Sequence, residues 1–136
     1  MRKLGLGLIA AAVLTPLEAS AEWMDIGTSI NESVWSIDPA RVKVVGGKVH
    51  AWVKVDASKD RTVTWRESKR LFSLDCSEDK FRMLSYVNYD SYGKIVSSNS
   101  YSDYGYGVGY DPIIPDSMVE SVAKLACIVL PAKSSD

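Results

Sequence analysis

The sequence predicts an α+β domain, an antiparallel β-sheet with one helix at its C-terminal end packed on it. Three observations lead there. Two segments alternate apolar and polar residues on both sides of a short turn, and a third, following a proline, carries an apolar stripe at helical spacing. The only two cysteines, Cys76 and Cys127, fall one in a sheet segment and one in the helix.

The chain opens on a different pattern. In "MRKLGLGLIAAAVLTPLEASA" the basic pair Arg2 and Lys3 precedes an apolar run from Leu4 to Leu14 and a small-x-small triplet, Ala19-Ser20-Ala21. That is the n-region, h-region and cleavage pattern of a secretory signal peptide, so residues 1–21 are expected to be removed and the mature chain to begin at Glu22. An apolar run of about 11 residues is too short to span a bilayer. No cysteine stands near the cleavage site, and the mature chain is expected to carry no lipid or membrane anchor.

Short strands bounded by turn residues are expected around Trp23 to Thr28 and Val34 to Ile37. The clearest hairpin follows. In "RVKVVGGKVHAWVKVD" a Gly-Gly loop suits a type I′ or II′ turn, because glycine accepts positive φ without steric cost. The register then sets Val44 opposite Val49 and Val42 opposite Ala51 on one side, with Arg41, Lys43, His50 and Trp52 on the other. A further strand is expected at Thr62 to Trp65. In "LFSLDCSEDKFRM" a loop at 77–80 would set Cys76 opposite Phe81, Leu74 opposite Met83 and Asp75 opposite Arg82, pointing Cys76 inward. Lys94 to Ser98 reads as another strand.

The helix is predicted in "PDSMVESVAKLAC". Pro115 breaks the preceding structure, and Ser117 with Glu120 has capping-box spacing. Val119, Val122, Ala123, Ala126 and Cys127 follow the i, i+3, i+4, i+7, i+8 stripe of one face. Residues 22–130 are therefore one domain, and 131–136 a flexible tail.

Export favours a Cys76–Cys127 disulfide over two inert buried thiols, because thiols outside the cytoplasm are normally paired. Two cysteines and one histidine do not supply a four-ligand zinc site, so no metal is expected. Of 16 basic and 17 acidic side chains, Arg2, Lys3 and Glu18 lie in the leader, leaving two more acidic than basic groups in the remainder. That balance gives no general attraction for nucleic acid or an anionic membrane.

The blocks "SIDPARVKVVGGKVHAWVKVD", "ESKRLFSLDCSEDKFRMLSYVNYDSYGKIVSS" and "IIPDSMVESVAKLAC" resemble, in order and spacing, the surface-adhesin protein E family of Gram-negative bacteria. The shared pattern is an exported chain with a D-P turn, a V-x-x-W strand, a D-C followed by a basic or aromatic run, and a closing helix that ends in cysteine. The resemblance implies a sheet of about six strands with the helix tied across it by the cysteine pair. It also implies binding to host extracellular-matrix or serum proteins.

No enzyme motif is present: G-x-S-x-G, the P-loop and H-E-x-x-H are all missing, and His50 is the single histidine. The expected function is an exported, non-enzymatic binding protein without cofactors. Its alternative is a periplasmic structural or accessory protein of the envelope with no host ligand, so the expected location is periplasmic or extracellular. Tyr104, Tyr106 and Tyr110, interleaved with glycines, are the candidate ligand-binding residues, since tyrosine supplies contact area at low entropic cost. The same composition also suits tyrosines packed on their own domain. The basic run with Lys59, Arg61, Arg66, Lys69 and Arg70 around Trp65 is interrupted by Asp60 and Glu67, and reads as a solvated face more readily than as a polyanion site.

Overall fold

Gly46 and Gly47 take φ of 57° and 77°, and the turn they form sets the register of the first hairpin. Strand β3 (Lys43–Val45) pairs with β4 (Lys48–Asp56) so that Val44 meets Val49 and Lys43 meets His50, as the alternation requires. Val42 lies just before β3 and is wholly buried. The computed structural model describes residues 22–101, 109–130 and 133–134.

Three strands precede or follow this hairpin in the sheet as the sequence suggests: β1 (Met24–Thr28), β2 (Val34–Ile37) and, later, β7 (Ile95–Ser100). Between them run the long strands β5 (Glu67–Asp75) and β6 (Lys80–Tyr89). The main path is β1-β2-β4-β5-β6-β7, six strands paired antiparallel. Short strands extend it: β3 and β2 share one side of β4, and β8 (Asp111–Pro112) pairs with the start of β6. Lys133–Ser134, β9, lies parallel to β3.

Two local expectations are corrected. The second hairpin pairs Leu74 with Phe81, Ser73 with Arg82 and Asp75 with Lys80, a two-residue slip from the expected register. An even slip keeps every side chain on its face. Its cause is the Asp75 carboxylate, whose Oδ1 accepts from Ser77 Oγ at 2.9 Å and from the Glu78 amide at 3.1 Å. This Asx-type turn starts the loop at Cys76 and lets Asp79 take the left-handed conformation at φ 53°. Cys76 therefore stands exposed in the turn instead of pointing inward. The other correction is Thr62 to Trp65, which is loop; β5 begins at Glu67.

Helix α1 (Met118–Lys124) starts at Ser117, whose hydroxyl accepts from the Glu120 amide at 3.2 Å, while Glu120 Oε1 accepts from the Asp116 amide at 3.1 Å. It runs into a π-helical turn at Leu125–Val129 that contains Cys127. Val122 and Ala126 close the core against Ile37, Val42, Ala51, Val53, Val55, Phe72 and Leu74, all from one face of the sheet. Cys76 and Cys127 form the disulfide, with Cα atoms 5.9 Å apart, so the helix end is tied to the β5–β6 turn.

Candidate binding surfaces

Of the three candidate tyrosines, Tyr104 and Tyr106 lie outside the described residues. Tyr110 is half-buried against the sheet face opposite the helix. Its hydroxyl is 2.8 Å from Ser73 Oγ, and Lys48 Nζ sits 5.5 Å from its ring centroid. Lys48 in turn pairs with Asp75 at 3.9 Å. The ring and hydroxyl of Tyr110 are thus engaged by their own domain.

The most exposed part of the sheet is the β6–β7 hairpin. Asp90 organises its turn, its Oδ1 accepting from the amides of Tyr92 and Lys94 at 2.9 Å each, with Gly93 at φ 79°. Every residue of β7 is exposed, including Ile95 and Val96, and Tyr92 at the tip is 88% exposed. Ser100 bonds to Ser85 and Ser97 to Asn88 across the strands, so the rim is uncharged and polar with an apolar end. Among the described residues no strand pairs with the outer edge of β7. The sequence signal for this surface was the uncharged run "IVSSNSY" between tyrosines, but strand order, which makes it an edge, depends on distant pairing.

The basic run does not assemble into one patch. Arg66 Nη2 donates to the carbonyls of Asp60 and Val63, at 3.2 and 2.6 Å. Arg70 lies on the helix side of the sheet, its guanidinium 5.4 Å from the centroids of both Trp35 and Trp65, and burial lowers its pKa. Lys69 belongs to the opposite face, beside the Tyr89 ring, while Lys59 and Arg61 are exposed on the loop. That loop is wound on Asp60, which is 4% exposed and accepts from Ser33 Oγ at 2.6 Å and from the Thr62 amide at 2.8 Å and hydroxyl. The Ser33 and Thr62 hydrogen bonds hold its carboxyl below the ordinary carboxylate pKa.

His50 stands opposite Lys43 on the face away from the helix, where it lines a cleft of about 270 Å³ with Arg41, Lys43, Val45, Trp52 and Leu71. A second cleft of about 430 Å³ lies beside the disulfide, between the helix and Ile113 and Pro115. Among the described residues no three His, Cys, Asp or Glu side chains converge as a metal site would require. None of the described helices is long and apolar enough to cross a membrane.

A single antiparallel sheet with its C-terminal helix stapled to it by Cys76–Cys127 defines a disulfide-stabilised α+β domain. Residues 23–128 match the family described as surface-adhesin protein E, and the chain belongs to that family. No curated protein and no solved structure matches it significantly. Membership implies a non-enzymatic protein that binds other molecules at a cell surface.

Proposed function

We propose that the protein is an exported adhesin for host extracellular-matrix or serum proteins, and that the β6–β7 hairpin with the Tyr-Gly segment after it forms the contact surface. The observation that supports this most is β7, the outermost strand of its side of the sheet among the described residues, exposed along all six of its residues and followed in sequence by that segment. An exposed strand with unpaired amides and carbonyls is a ready template for another chain. Tyr92 at the hairpin tip supplies one aromatic anchor, and Tyr104 and Tyr106, which follow β7 in sequence, are the candidates for the others. Residues 1–21 act as the leader, 22–130 as the binding domain and 131–136 as a tail, of which Lys133 and Ser134 lie beside β3.

Immobilised matrix and serum proteins should retain the wild-type domain better than a Tyr104→Ser/Tyr106→Ser variant. The loss should exceed about 1 kcal/mol if these are the anchors, since a few aromatic residues carry most interface energy. Tyr110→Ser is compared separately because it also removes the contact with Ser73. Equal retention of all variants, each shown to be folded, rejects this surface. Protease added to intact cells tests the location: digestion supports adhesion, and complete protection supports a periplasmic accessory role instead.

A further inference from the structure

We propose that the sheet face turned away from the helix binds a linear sulfated polysaccharide, one anionic group lying between Arg41, Lys43 and His50 and the next between Lys54 and Lys69. The cleft lined by Arg41, Lys43, Val45, His50, Trp52 and Leu71 holds three nitrogen-bearing side chains, an indole and two aliphatic groups, and among the described residues no carboxylate lines it. Alternation along β4 puts His50, Trp52 and Lys54 on the same face, with Lys43 opposite His50, Leu71 opposite Trp52 and Lys69 opposite Lys54. Four residues of extended strand separate His50 from Lys54 by about 13 Å. Two cationic levels are thus joined by a floor of Trp52 and Leu71. A chain whose anionic groups alternate with sugar rings, each presenting a C–H face, fits that order.

The charges on this track are only partly compensated, Arg41 by Asp38 and Lys54 by the neighbouring Asp56. Arg41 pairs with Asp38 at 3.2 Å, yet Asp38 is buried beneath it and the Arg41 side chain is 53% exposed. Lys54 and Lys69 rest 5.4 Å from the ring centroids of Trp23 and Tyr89, contacts that hold an ammonium without neutralising it. Among the described residues Lys43, Lys54 and Lys69 form no ion pair. Asp56 and Glu67, paired one step beyond Lys54 and Lys69, close the track at that end. Because residues 22–136 carry a small net negative charge, attraction is confined to this strip and is not a property of the whole surface.

Calorimetric titration with a size-defined, fully sulfated heparin hexasaccharide tests the proposal, alongside its desulfated counterpart and phosphatidylglycerol vesicles. The wild-type domain should bind the sulfated probe and lose affinity as salt rises. Lys43→Gln/Lys54→Gln, on the exposed side of a sheet that keeps its core, should bind about five- to tenfold more weakly. Lys59→Gln/Arg61→Gln, on the distant loop, should bind as wild type, as should Tyr104→Ser/Tyr106→Ser, since this site does not rest on the adhesin reading. NMR shifts induced by the probe should fall on the His50 ring and the Trp52 indole. No binding by folded wild-type protein, equal binding of the desulfated probe, binding to the vesicles alone, or a loss confined to the loop variant would each overturn the proposal.

Discussion

Asp60 illustrates how one side chain can decide a segment that pattern reading assigns otherwise. "TVTW" has the β-branched and aromatic composition of a strand, but Asp60 draws Thr62 and Ser33 to its carboxylate and the chain winds around it before β5 begins. Local side-chain to backbone bonds compete with sheet pairing, and here they prevail. Its folded-state pKa lies below the ordinary 3.8, so its ionised form stabilises the fold above that value, and the contribution is lost as pH falls through the lower folded pKa. Asp60→Asn should therefore lower the melting temperature at neutral pH, with the gap from wild type narrowing below pH about 4. Thermal unfolding at a series of pH values reads both, and a gap that stays constant into acid would show that the charge is not what matters. Asp56, Asp75 and Glu120 shift in the same direction through hydrogen bonds from Ser58, Ser77 and the Asp116 amide, so the wild type also weakens in acid.

Among the elements, the disulfide joins the closing helix to the second hairpin, with Cys76 in the turn and not on the inward face. Cys76 and Cys127 are 51 residues apart, and closing a loop of that length corresponds to about 4 kcal/mol in the chain-entropy account. Cys76→Ser/Cys127→Ala should lower unfolding free energy by about 2–5 kcal/mol in urea titration, and intact mass before and after reduction should show one bridge in the wild type. Equal urea midpoints would mean that helix packing alone holds the terminus. The helix itself was legible, since a serine cap, a glutamate three residues on and an apolar stripe agree. The Gly-Gly hairpin was legible for the same reason, turn chemistry and alternation pointing to one register. The second hairpin was legible only in its faces. Alternation cannot distinguish registers two residues apart, and the deciding bonds of Asp75 to Ser77 and Glu78 belong to the turn.

For the molecule as a whole, the helix packs on one sheet face only, through Val122 and Ala126, and this asymmetry separates stability from recognition. Alternation located the core strands, but it does not say which strands are outermost, because that follows from pairings between segments far apart in sequence. The candidate surfaces were correspondingly half legible: the tyrosines and basic residues stood out by composition, whereas the grouping of Arg41, Lys43, His50, Lys54 and Lys69 needed β3, β4 and β5 side by side. Local stability should follow the same order. Strands β4 and β5 are flanked on both sides and carry Val53, Val55, Phe72 and Leu74, each nearly or fully buried, so their amides should exchange with solvent only on global unfolding. The outward amides of β7, with no described strand beyond them and exposed side chains throughout, should exchange fastest of any strand on the main sheet path. Hydrogen exchange followed by NMR separates these classes, and adding a bound matrix protein should selectively slow the β7 amides if partner pairing uses this edge. Protection of β7 equal to that of β5 in the free protein would mean the edge is already covered, removing the main support for the hairpin as a contact surface.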